Sequence, residues 1–222
     1  MPRGRTRADA EGGGHAGRRR DRLLFLALLA SMVLWNLPFG GIVAWPFKLL
    51  ATWIHELSHG LVMTLTAAGF DQMQIYRDTS GLAYARDGVT DAGRAAIAAA
   101  GYMGTPLWGA LILWAGQSPR GARRALLGLS LTMAGSAALF LANDFGVAAT
   151  AIGAAACVAL ALLATDGLAT FAALFIGAQL CINALLDIRV LFRSNLVVNG
   201  QVMGLSDAES MTMATFGKVE RF

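Results

Sequence analysis

The sequence predicts an all-α integral membrane protein, a bundle of about six transmembrane helices with a small cytoplasmic β-hairpin after the second. Three observations lead there. Of the 222 residues, 56% are hydrophobic and 14% charged, where a soluble domain carries about 25% charged residues. Six apolar runs approach the roughly 20 residues needed to cross a bilayer core. Only one connection, residues 70–91, is long and polar, and it alternates as paired strands do. A single bundle is the expected domain count. The net charge of +4 is no nucleic-acid footprint, because Lys and Arg gather at the ends of apolar runs, where they orient helices. No nucleic-acid partner is expected. Cys157 and Cys181 both fall in apolar runs and read as small packing residues, not as a disulfide or metal pair.

Residues 1–22 form a tail rich in Arg and Gly, too polar to build a core and expected to be disordered. A basic stretch before Leu23 also suits a signal peptide. No small-x-small cleavage site follows, so an uncleaved first helix is the expectation. The six spans fall at about 23–43, 46–69, 92–115, 122–142, 146–165 and 168–191. The first two join tightly at Trp45-Pro46, with Pro46 in the first turn of the second helix. With the N-terminus cytoplasmic, the inner side holds Arg18, Arg19, Arg20, Arg22, Arg77, Arg86, Arg94, Arg189 and Arg193. The outer side holds Lys48, Arg120, Arg123 and Arg124. The excess favours this orientation, against which the Arg120–Arg124 cluster stands.

In the 70–91 connection, Gln72–Arg77 and Leu82–Arg86 alternate around Asp78-Thr79-Ser80-Gly81, which carries turn chemistry. This is a β-hairpin at the cytoplasmic end of the second helix. It is either an edge strand for an extended substrate or an ordinary surface hairpin. In the third helix Gly101, Thr105 and Gly109 are small residues four apart, which permits close helix packing, and Pro106 should kink it. The fourth and fifth helices read as scaffold. In the sixth, Gln179, Asn183 and Asp187 form a polar stripe at helical spacing. After Arg193 the chain is polar. Ser206-Asp207-Ala208-Glu209 reads as a capping box opening a short helix to about Phe216, with no catalytic role. The expected units are thus the tail 1–22, the membrane domain 23–193 and the polar segment 194–222.

The chemistry lies in the second span. His55-Glu56-Leu57-Ser58-His59 is a His-Glu-x-x-His motif. On a helix, His55 and His59 share one face and can grip one metal ion, and Glu56 follows the first as a general base. That is the donor set of a zinc hydrolase. Two packed histidines would be the plain alternative. These are two of only three histidines in the chain, however, and ionisable groups inside membrane helices are usually functional. Such a site wants a third ligand, and Asp187 is the best candidate, ahead of Asp144 and Asp166. Asp187 lies roughly 9 Å from the depth of His59 if both helices stand upright.

Together with the Ala100-Gly101-Tyr102-Met103-Gly104 stretch and Asn183-Ala-Leu-Leu-Asp187, these residues resemble the M50 group of intramembrane zinc metalloproteases, the site-2 protease class. The resemblance is closest to the bacterial M50B-like branch and covers residues 23–193. It implies a zinc-dependent endopeptidase in a bacterial-type cytoplasmic (inner) membrane, acting on transmembrane protein substrates. By position, His55 and His59 match the family's histidine ligands, Glu56 its general base, Asp187 its carboxylate ligand and Asn183 the asparagine that supports the substrate. The segment departs from the longer Asn…Pro…Leu-Asp-Gly pattern, having neither Pro nor Gly. Two other functions fit the same motifs: a zinc hydrolase acting on lipid or a small amide, and an inactive membrane adaptor.

Overall fold

A computed structural model describes residues 7–187, 196–204 and 206–216. Seven helices and two short hairpins follow one another among them. The helices are α1 (Arg7–Asn36), α2 (Gly40–Leu65), α3 (Asp91–Ala115), α4 (Pro119–Leu139), α5 (Asp144–Leu163), α6 (Asp166–Asp187) and α7 (Asp207–Phe216). The strands are β1 (Phe70–Ile75), β2 (Gly81–Ala85), β3 (Leu196–Val198) and β4 (Gln201–Gly204). Arg189 and Arg193, counted above for orientation, lie outside the described residues.

Helix positions agree with the apolar runs, with two corrections. α1 begins at Arg7, so the helix continues back through much of the basic tail expected to be disordered. The break between the first two helices falls at Leu37-Pro38-Phe39 instead of Trp45-Pro46. Pro38 lacks an N–H and pushes Leu37 out of helical conformation. Pro46 is carried inside α2.

The six expected spans are met in part. α3, α5 and α6 are long and apolar enough to cross a membrane. Residues 21–36 and α2, bent by 118° at their break, pass together as a fourth. α4 is not among them; Arg120, Arg123 and Arg124 crowd its start. Arg123 binds the carbonyls of Ala161 and Ala164 and pairs with Asp166 at 3.0 Å, closing the end of α5. The charge cluster that conflicted with the orientation therefore includes a helix-terminus cap.

The β1–β2 hairpin is no ordinary surface hairpin. It folds back along α2. Phe70 lies on Gly60, where an added Cβ would meet its ring at 2.3 Å. At the other end Trp45 Nε1 donates to the Arg77 carbonyl at 2.9 Å and Thr52 Oγ1 to that of Thr79 at 2.6 Å. Met73 and Ile75 are buried on the inward face that alternation gives them, and the bulge between Phe70 and Gln72 turns Phe70 inward as well. The outer edge of β1 is taken by the α4–α5 connection: Met73 N–H donates to Phe140 O, and Ala142 N–H to Met73 O. Asn143 bonds both the N–H and the carbonyl of Ile75. β2 has no second strand neighbour among the described residues.

α3 packs between α2 and α6 and also carries α7; α1 rests on α6, and α4 on α5. Gly101, Thr105 and Gly109 are buried in this packing, as their spacing predicts. Of the polar stripe on α6, Gln179 is a structural tie. It is fully buried, accepts from Trp35 Nε1 at 3.0 Å and donates to Ser31 Oγ at 3.3 Å, fastening α1 to α6. Gln179→Ala removes both partners and leaves the Trp35 indole N–H unpaired. We expect a loss of about 1–3 kcal/mol in thermal unfolding of the detergent-solubilised protein. An unchanged midpoint would show that the tie contributes nothing.

Candidate metal centre

The site is built on the second half of α2. Helical spacing brings the His55 and His59 rings to 4.6 Å between centroids, edge to face. His59 is buried, and its Nδ1 lies 2.6 Å from the carbonyl oxygen of Ile97 on α3. A carbonyl only accepts, so Nδ1 carries the hydrogen and the ring orientation is fixed. Nε2 is then the atom left to face inward, toward a proton or a metal ion.

What it faces is Asp207, the first residue of α7. Asp207 Oδ2 stands 3.1 Å from His55 Nε2 and 3.3 Å from His59 Nε2. Among the described residues, His55, His59 and Asp207 form a group whose ligand atoms all lie within 4.8 Å of one another. Zinc bonds of about 2.0–2.2 Å in a tetrahedron separate ligand atoms by about 3.3–3.6 Å. Two imidazoles and one carboxylate at these separations fit one divalent ion. Burial raises the Asp207 carboxyl, but hydrogen bonds from His55 and His59 outweigh it and hold the group well below the usual carboxylate range. It is therefore ionised, as a ligand must be. Its side chain keeps 31% exposure against 6% for His59, so solvent reaches the centre from the α7 side.

Neighbouring backbones come in close because glycine lets them. At Gly101 of α3 an added Cβ would lie 2.4 Å from His55 Nε2 and 2.6 Å from His59 Cε1. At Gly81 of β2 it would lie 2.6 Å from Glu56 Cγ. The buried Glu56 thus sits between the two histidines and the hairpin, its charge coupled to His59, His55 and Asp207 and its carboxylate beside the Ala83 backbone. Tyr102 sets its ring edge-on to His55 at 5.2 Å.

A sequence model of the Peptidase M50B-like family matches residues 24–220. The chain belongs to the M50B-like peptidase family. No curated protein and no solved structure matches it. Membership marks this M50B-like chain as a membrane metalloprotease by family, in keeping with its several apolar helices.

Of the residues singled out in the sequence, the fold brings together His55, Glu56 and His59. Asp187 ends α6 near enough to feel the charge of His55, yet it stands outside the ligand group. Asp207 stands in that group instead. Asn183 is buried and donates back to the Gln179 carbonyl of its own helix at 2.8 Å. Asp166 is occupied by Arg123.

Asp207 was hidden by a correct reading of its neighbours. Ser206 Oγ accepts from Glu209 N–H, and the Glu209 carboxylate accepts from Ser206 N–H. The capping box exists, but it uses Ser206 and Glu209 alone. The acid between them was the available signal, and the favourable place of any acid in a first helical turn masked it.

The close approach of α3 makes a test. Gly101→Val should abolish metal binding, measured by elemental analysis of purified protein. Gly128→Val, at a position with nothing within 4 Å of an added Cβ, should leave the metal content unchanged. Full metal content in Gly101→Val would show that α3 does not confine the imidazoles.

Proposed function

We propose that the protein is a zinc-dependent endopeptidase that hydrolyses peptide bonds of membrane-embedded protein substrates. The observation that carries the reading is the meeting of His55, His59 and Asp207 beside the buried Glu56, next to a strand edge that no other strand pairs among the described residues. His55, His59 and Asp207 are the proposed zinc ligands. A zinc ion held there would supply Lewis acidity to a water molecule and to the scissile carbonyl.

The chain's own groups do the rest. Glu56 accepts a proton from the attacking water and returns it to the leaving amine as the C–N bond breaks. Burial and the neighbouring imidazoles confine it to that position. The edge of β2 offers backbone groups to an extended substrate segment, because β1 is already paired on both sides. A helical substrate must unwind before it can pair there, since the interior of a helix already uses its backbone N–H and C=O groups. Gly81 and Ala83 bring that edge to Glu56. Asn183, turned to its own helix, has no substrate role in this reading. The orientation with a cytoplasmic N-terminus in a bacterial-type inner membrane remains part of the proposal.

Two measurements test it. Wild type should hold about one zinc per chain, Asp207→Ala should lose it, and Asp187→Ala should keep it. Loss in Asp187→Ala with retention in Asp207→Ala would return the third ligand to α6. Glu56→Gln should keep the zinc and lose about 10²–10⁴-fold of the cleavage rate on a transmembrane reporter peptide in proteoliposomes. Cleavage at the wild-type rate would remove Glu56 from the mechanism. Hydrolysis of a lipid or a small amide with the peptide untouched would replace the substrate class.

A further inference from the structure

A second feature lies on the far side of α2 and shares no residue with the metal centre. A cavity of about 450 Å³ runs between α2, α4 and α5. Trp45, Phe47 and Trp53 of α2 face Phe145, Gly153 and Leu160 of α5 across it. From Phe145 to Leu160, α5 advances about 22 Å at 1.5 Å per residue. That exceeds the roughly 15 Å of one leaflet's hydrocarbon, half of a core of about 30 Å. The lining offers almost nothing polar. The indole N–H groups of Trp45 and Trp53 are already given to the Arg77 carbonyl and to Ser136 Oγ. Thr150 is the one hydroxyl in the wall. A polar guest would lose its hydration with nothing in return. A hydrocarbon chain would not.

One end of this cavity is cationic. The Arg77 guanidinium stands over the Phe145 ring, 5.4 Å from its centroid, and Trp45 packs on the same ring at 6.2 Å. Arg77 is exposed, and no carboxylate pairs with it among the described residues. The adjacent Asp78 is engaged in its own turn, accepting from Ser80 N–H and Oγ–H. Asp144 opens α5, where the helix dipole offsets its charge. Arg77 is therefore the cation left at the mouth of an apolar slot. An indole and a guanidinium together are what a membrane interface collects.

From this juxtaposition we propose a binding site for an anionic phospholipid, with one acyl chain in the α2–α5 cavity and the phosphate on Arg77. The guanidinium can hold two phosphate oxygens at once. The occupant is thus distinguished by its headgroup charge and its chain together.

The test uses full-length protein in a mild detergent, with thermal unfolding and native mass spectrometry as readouts. Phosphatidylglycerol should raise the unfolding midpoint and be retained at about one molecule per chain, and phosphatidylcholine of the same acyl composition should not. Glycerol phosphate, which has the anion but no chain, should have no effect. Arg77→Gln should erase the preference for phosphatidylglycerol, and Arg77→Lys should restore part of it. Gly153→Leu should narrow the cavity and displace the lipid. An added Cβ there meets only the flexible end of Met133, at 2.5 Å from its Cε, so the fold can absorb it. Equal stabilisation by the two lipids, an unchanged preference in Arg77→Gln, or an effect of glycerol phosphate matching that of the lipid would each overturn the proposal.

Discussion

Two imidazoles and one carboxylate join parts of the chain 152 residues apart. The centre depends on that meeting, and several features of the fold serve it. His55 and His59 share a face of α2 by helical geometry alone. Asp207 comes from a polar helix near the other end of the chain, held against α3. In an apolar surrounding an unpaired charge is costly, so three ionisable groups this deep must compensate one another or hold an ion. The ionised Asp207 and the two inward-facing Nε2 atoms satisfy that demand.

Such a meeting requires backbones to approach more closely than side chains normally permit. Gly101 lets α3 lie directly on the imidazoles, and Ile97 on the same helix orients His59. Gly81 lets the hairpin lie on Glu56. The hairpin is therefore less a connection than a part of the bundle. Its inner face is buried, one edge is sealed by the α4–α5 connection, and its turn is tied to α2 at Thr52 and Trp45. The second hairpin reaches the same place, where the Asn199 N–H donates to Ser80 Oγ. Asn199 and Gly200 both have positive φ, as a tight two-residue turn demands.

Several polar groups elsewhere in the bundle have partners of their own. Gln179 closes a chain of hydrogen bonds that fastens α1. Ser58 and Asn183 bond back to carbonyls of their own helices. Arg123 caps the end of α5. These contacts separate structural polarity from the polarity at the metal centre. They also explain why the Gln179–Asn183–Asp187 stripe looked functional: periodicity reveals a polar face, not what that face meets.

Hydrophobic runs determined the helices, because burying apolar surface needs no knowledge of partners. The turn residues at 78–81 determined the first hairpin, and the i, i+4 spacing of His55 and His59 set their two rings on one face of α2. Each of these is a local property. The break at Pro38 in place of Pro46 was also local, and was misplaced because both prolines suit a helix boundary. The carboxylate that meets the two imidazoles was not local at all. Asp187 and Asp207 are alike as carboxylates in the sequence, and it is the packing of α7 on α3 that sets the Asp207 oxygen beside the imidazoles. The burial of the β1–β2 hairpin and the cavity behind α2 belong to the tertiary structure for the same reason. They depend on which faces meet, and a sequence records faces without recording their neighbours.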